Sequence, residues 1–261
     1  MNSGKLIRKF WSKYPKKMQE NWDRCGLQIG KLPEEVNRVM VCLDYDTEMC
    51  SKAKEIKPDL IITHHPFIFG TRMAVLNADE YKEKVTKITE GELKSCVYSF
   101  HTCFDNAPCG MNDILAAKLN LREIYTPESC ITMRIGVLEK EMNLDEFKTY
   151  ALEKLNVSYG LLVCGNLNQI KKVGIIGGGA ARDFTFAIDE GCDIYISGDM
   201  AHHTRREIIE RNFNYLDVPH EVERVFINQI KKDLLEIDPS IETFTFDHEC
   251  EAQVVCRKTK F

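Results

Sequence analysis

Apolar residues along this chain come in short, undiluted runs separated by amphipathic stretches, the pattern of strands buried on both faces alternating with the helices that cover them. Val39–Leu43 is one such run, after which Asp44, Asp46 and Thr47 open a helix that extends to about Ile56 and is stopped by Pro58. Leu60, Ile61 and Ile62 form the next strand, a helix is expected over about 78–90, Cys96–Phe100 is a third strand, and a helix follows from Met111 to Leu119. The second half repeats this order. Val173–Ile176 enters Gly177-Gly178-Gly179-Ala180, a helix runs to about Glu190, Asp193–Asp199 holds a strand, and Phe213–Val218 is the third. The intervals Val39 to Asp59 and Val173 to Asp193 are both twenty residues, so one βαβ unit is read as occurring twice. Elsewhere the pattern predicts a first helix with Leu6, Ile7, Phe10 and Trp11 on one face, and an ordered loop or short hairpin over 20–30. It also predicts a strand near 131–138, a helix capped by Asn143 with Glu146 three residues on, a strand near 160–164, and a tail of one helix and two strands over 225–261.

The expected fold class is α/β, two similar βαβ-based lobes with mainly parallel sheets. The lobes are placed at 1–125 and 126–218, and a C-terminal segment, 219–261, is expected to pack back on the first. Composition narrows the setting. Of the 261 residues 44% are apolar and 29% charged, ordinary for a soluble globular protein. No run of eighteen apolar residues occurs, which argues against a membrane span. Lys5, Arg8 and Lys9 interrupt the N-terminus and leave no stretch suited to a signal peptide. The net charge of -5 without a basic block argues against a nucleic-acid partner. The eleven cysteines are odd in number, irregular in spacing and without a Cys-x-x-Cys, which argues against a zinc ribbon or disulfide scaffold. Cys42, Cys96, Cys164 and Cys192 fall in strands or at their ends as small apolar side chains, so a reducing cytoplasm is expected.

The chemistry gathers at strand C-termini, where open α/β sheets keep their ligands. His64 and His65 end the second strand and Pro66 breaks it; without that break adjacent rings would point to opposite faces. Each half's third strand ends in a histidine with a carboxylate behind it, His101 with Asp105 and His220 with Glu221 or Glu223. Adding Asp199, His202 and His203 collects six of the seven histidines, leaving only His248 aside. Mixed imidazole and carboxylate ligands suit zinc, iron, manganese or nickel. Their number exceeds what one tetrahedral ion uses and fits two ions about 3.5–4 Å apart bridged by a carboxylate. Two ordinary polar crevices, one per half, are the competing reading. Gly177-Gly178-Gly179 lacks a Walker lysine, and close packing of helix on strand explains it as well as phosphate binding does.

These residues carry a resemblance. Asn21-Trp-Asp-x-x-Gly-Leu-Gln-x-Gly30, Leu60-Ile-Ile-x-His-His-Pro-x-Ile-Phe69, His101-Thr-x-x-Asp105-x-Ala-Pro-x-Gly-x-Asn112-Asp113 and Ser197-Gly-Asp-x-x-x-His203 resemble the Ngg-one-interacting-factor-three family, whose bacterial members are labelled type-two GTP cyclohydrolase I homologues. The resemblance implies a two-lobed monomer with a dinuclear metal centre in the cleft between the lobes and a ring-shaped homohexamer. Its ligand pattern carries over to His64, His65, Asp105 as the bridge, and His220. Relatives place a glutamate four residues after the last histidine, where this chain has Arg224. Glu223, in a Val-Glu-Arg context, is the expected replacement and Glu221 the fallback. His203 matches the family and, with His101, is a candidate general acid.

The expected function is therefore a hydrolase dependent on two divalent ions per chain, acting on a small nucleotide-like or heterocyclic substrate at a cyclic amidine or phosphoester bond. The alternative is a non-catalytic metal-binding or regulatory hexameric scaffold.

Overall fold

The computed structural model describes residues 1–255. Contacts group the chain into two compact units, Met1–Met111 with Arg224–His248, and Asn112–Glu223 with the described residues from Glu249 on. In chain order the first unit holds α1 (Ser3–Lys13), β1 (Gly26–Ile29), β2 (Arg38–Cys42), α2 (Thr47–Ile56), β3 (Leu60–Thr63), α3 (Arg72–Ala78), α4 (Glu80–Ile88), β4 (Cys96–Ser99) and α5 (Thr102–Asn106). The second holds α6 (Met111–Lys118), β5 (Arg122–Tyr125), β6 (Arg134–Asn143), α7 (Leu144–Leu155), β7 (Leu161–Val163), β8 (Gln169–Ile175), α8 (Phe184–Asp189), β9 (Ile194–Ser197), α9 (His202–Glu210) and β10 (Asn214–Asp217). The first unit is then completed by α10 (Val225–Ile237) and β11 (Glu242–Thr245).

The first sheet has the order β1-β4-β3-β2-β11, all neighbours parallel except β1 with β4. All four residues of β3 are buried, as a strand covered on both faces requires. Met40, Cys42, Ile61 and Val97 face one core with Met49, Cys50 and Ala53 of α2 and Val85 of α4. Elsewhere in this unit Phe10 of α1 packs on Phe100 with ring centroids 5.2 Å apart, and Phe104 on Phe226 of α10 at 5.0 Å. The second sheet, β5-β6-β8-β9-β10-β7, is parallel through β8-β9-β10 and antiparallel at its flanks. Its core gathers Ile135, Phe184, Tyr195, Ile208 and Tyr215. The fold is thus α/β with two sheets, as the sequence pattern predicts.

The matched spacing is structural. Val39 pairs with Leu60 and Val173 with Ile194, the same interval in both units. Asp59 Oδ2 accepts from the backbone N–H of Asn37 and Arg38 at 2.8 and 2.9 Å, and Asp193 Oδ2 accepts from Lys171 and Lys172 at 2.8 and 2.7 Å. One carboxylate at the foot of each second strand therefore holds two consecutive N–H groups of the first, at its start in β2 and two residues in from its start in β8.

Several elements differ from expectation for identifiable reasons. The 20–30 stretch forms no hairpin; β1 pairs with the distant β4, Gly26 opposite Ser99. The opening of α2 is capped by Asp46, whose side chain accepts from Met49 N, while Asp44 is engaged elsewhere. The short strand β5 is exposed at every position and carries no apolar alternation to betray it. The tail has one strand, none follows over 246–255, and the remainder of that expectation falls on 256–261, outside the described residues. No helix among the described residues is long and apolar enough to cross a membrane.

Candidate metal centre

In the first unit the end of β3 resolves the problem of adjacent histidines. The backbone N–H groups of His64 and His65 both donate to Leu43 O, at 3.1 and 3.2 Å, so the strand's alternation ends there. The two rings lie with centroids 4.8 Å apart, and His101 joins them at 5.1 and 5.5 Å. A ligand-type atom from each of the three histidines lies within 4.8 Å of the others. Each Nδ1 has its own acceptor: Phe100 O for His64 at 3.0 Å, Asp44 Oδ2 for His65 at 2.8 Å and Asp23 Oδ1 for His101 at 2.9 Å. Carbonyl and carboxylate oxygens only accept, so every Nδ1 carries a proton and every neutral ring presents an Nε2 lone pair. Outer carboxylates that orient imidazoles in this way are the usual support of metal-ligating histidines. His64 Nε2 faces Asp105 Oδ1, from α5, at 3.5 Å.

Asp23 is fully buried. Burial by itself would raise its pKa, but hydrogen bonds from His101, Thr102 and Cys25 outweigh that and hold the carboxyl well below the usual carboxylate range. Cys103, on α5, is pushed far the other way by burial and by Cys25 beside it, so it stays a neutral thiol.

The second unit has a matching arrangement at the end of β10. His220 opens a 3-10 turn, His220–Arg224, whose three residues per turn stack position 223 over position 220. His220 Nδ1 donates to Asp199 Oδ2 at 2.7 Å, and its Nε2 lies 3.1 Å from Oε2 of the buried Glu223. The glycine-rich turn makes room for this group. A Cβ on Gly178, which has φ +68°, would lie 2.2 Å from Glu223 Oε1 and 3.2 Å from His220 Nε2; one on Gly179 would lie 2.7 Å from Asp199 Oδ2.

The profile of the DUF34/NIF3 (NGG1p interacting factor 3) family matches residues 1–251. The chain belongs to this family. It is 29% identical over 213 residues to a GTP cyclohydrolase 1 type 2 homolog of Clostridium perfringens, covering 79% of this chain and 80% of that protein. A protein of the same name from Lactococcus lactis is 27% identical over 238 residues, covering 88% and 90%. The fold is shared with the crystal structure of a Bacillus cereus protein related to NIF3, at a TM-score of 0.86 and 20% identity, covering 98% of this chain and 99% of that one.

Within this DUF34/NIF3 chain, the first unit brings together His64, His65, His101 and Asp105, and the second joins His220 to Glu223 and Asp199. Glu221 is partly exposed in the same turn. His203 is exposed on α9, and so is His202, whose Nδ1 accepts from Arg205 Nη2 at 3.1 Å. The orienting role of Asp44 escaped the sequence, where it read as a helix opener. That of Asp23 was half visible in the Asn-Trp-Asp motif, but nothing local distinguished it from a turn carboxylate. The described residues thus contain His, Asp and Glu groups able to bind a metal ion.

Proposed function

We propose that this protein is a metal-dependent hydrolase whose ligands are His64, His65, Asp105, His220 and Glu223, holding about two divalent ions per chain of the zinc, iron, manganese or nickel class. One observation carries the reading. In each unit an imidazole whose Nδ1 is tied to a protein acceptor turns its Nε2 toward a carboxylate, His64 to Asp105 and His220 to Glu223. Two acceptors facing each other repel unless a cation or a proton lies between them, and a set of imidazole nitrogens and carboxylate oxygens suits a divalent ion of this class.

When bound, such ions would supply Lewis-acid polarisation of a substrate and activation of water at neutral pH. The protein's own contribution is orientation and proton handling. Asp23 fixes His101 with its Nδ1 proton directed inward, which leaves Nε2 to take up or release a proton. His203 is the second candidate acid, from the exposed face of α9. The curated relatives' name points to a nucleotide or related heterocycle as substrate and to a cyclic amidine or phosphoester as the bond cleaved. A homohexamer is the proposed assembly.

Anaerobic purification with elemental analysis should give about two ions per chain. His64→Ala and Asp105→Ala should each lower that number while the protein stays folded, and full metal content in both would overturn the ligand set. A screen of nucleotides and cyclic amides then tests hydrolysis. Bound metal without turnover of any of them would favour a non-catalytic scaffold. Sedimentation of the purified protein checks the hexamer.

A further inference from the structure

Trp22 and Phe69 are 57% and 49% exposed, yet neither is a loose surface residue. They come from segments far apart in sequence and stack on each other, with centroids 5.9 Å apart and planes at 30°. Each also meets the ring of His101 nearly edge to face, Trp22 at 5.8 Å and 75°, Phe69 at 6.1 Å and 76°. The residue beside each is anchored. Asp23, next to Trp22, accepts hydrogen bonds from Arg24 N, Cys25 Sγ, His101 Nδ1 and Thr102 N. Ile68, next to Phe69, donates its N–H to Gln28 Oε1 at 3.1 Å, and Gly70 follows at φ +113°. Single exposed apolar residues are common and call for no explanation. Two aromatic rings held open beside anchored residues against one imidazole of a polar cluster are a different matter, because apolar surface is kept in water where a fold could cover it.

We propose that Trp22 and Phe69 form a stacking face for the planar heteroaromatic ring of a nucleobase-type ligand, with His101 at its rim. Flat π-faces bind such rings with little regard to sequence or substituent, each stacked base contributing about five- to a hundredfold in affinity. The edge contacts to His101 set the bound ring beside the imidazole group, so a ligand held here presents its ring atoms to that group. The catalytic consequence rests on the hydrolase reading above; the binding does not.

The chain has two tryptophans, so in Trp11→Phe the remaining indole is Trp22 and its fluorescence reports the stacking face alone. Titration of that full-length variant, as purified, with guanosine monophosphate should quench the emission saturably, and ribose 5-phosphate should not. Adding Phe69→Ala should weaken the quenching constant about five- to a hundredfold. Trp22→Ala, followed by equilibrium dialysis of the same nucleotide, should show a loss of similar size that Trp22→Phe largely restores. Equal quenching by ribose 5-phosphate, parent-like binding in both alanine variants, or no binding of guanosine, adenosine or cytidine monophosphate at millimolar concentration would overturn the proposal. So would alanine variants that change only the sedimentation coefficient, because the pair would then be covered by a second copy of the chain. Metal content is read on every sample. Nucleotide binding that survives in His64→Ala while metal is lost separates this site from the ion ligands, and intact metal content without nucleotide binding condemns this proposal alone.

Discussion

Asp23 and Asp44 do the same work for two histidines, but they stand in different surroundings and differ in what they contribute to stability. Asp44 is about half exposed, so its bond to His65 is screened by solvent and matters more for ring orientation than for folding. Asp23 is fully buried and its bonds are charge-assisted. Asp23→Asn replaces an acceptor with an amide NH2 that faces the donors of Thr102 or His101, and should cost about 2–3 kcal/mol at neutral pH. The sign of the pH dependence follows from the depressed pKa. A carboxyl held below its ordinary 3.8 contributes fully above that value and loses its contribution as pH falls through the folded-state value. Urea denaturation curves of parent and variant should therefore differ most at neutral pH and converge in strong acid; a constant difference across that range would show that charge is not the cause. Gly178 is the second residue whose identity is dictated locally, since alanine there meets both a positive φ and the Glu223 carboxylate 2.2 Å from its Cβ. Gly178→Ala should lower stability by about 1–3 kcal/mol, read by the same denaturation, and should displace the carboxylate from His220.

At the scale of elements, the repeated clamp beneath the parallel strands explains why one spacing recurs. Asp59 and Asp193 each accept two consecutive backbone N–H groups of the neighbouring parallel strand or its entry, Asn37 and Arg38 at the start of β2 and Lys171 and Lys172 within β8, and each sits where the second strand of its pair begins. Asp59→Ala and Asp193→Ala should each cost about 1–2 kcal/mol and should raise amide exchange at residues 37–38 and 171–172 respectively, leaving the other pair protected. Exchange rising in both units from either change would mean the clamps are not local. These parallel strands were legible because β3 and β9 are short, mainly apolar runs buried along their whole length, and α7 was legible from its cap, Asn143 accepting from Glu146 N. What escaped was whatever lacks a local signature. β5 is exposed throughout, β1 owes its existence to a partner some seventy residues away, and α3 has no fully buried residue, only Val75 and Leu76 being partly covered. The candidate site divides along the same line. His64, His65, His101 and His220 stood out at strand ends, whereas Asp44 and Asp23 are defined only by the ring each one holds.

Over the whole molecule the proposed ligands are drawn from both units, His64, His65 and Asp105 from the first and His220 and Glu223 from the second. Linkage then makes a strong demand, because an ion bound only by the folded protein stabilises everything whose folding it requires, by about 2.7 kcal/mol at a hundred times its dissociation constant. The chain offers a selective probe, since Trp11 and Trp22 are its only tryptophans and both belong to the first unit. Indole fluorescence therefore follows unfolding of the first unit, while far-ultraviolet circular dichroism follows both. With zinc or manganese in excess, the fluorescence transition in urea should shift to higher denaturant, and the shift should vanish in chelator. It should shrink in His64→Ala, while His220→Ala and Glu223→Gln should each lower the metal-dependent shift of the circular-dichroism transition. Glu221→Gln should leave it intact, because position 223, and not 221, stacks on His220 in a turn of three residues. A full metal-dependent shift of the dichroism transition in both His220→Ala and Glu223→Gln would restrict the ions to the histidines and Asp105 of the first unit, and the proposal that the second unit supplies ligands would be lost.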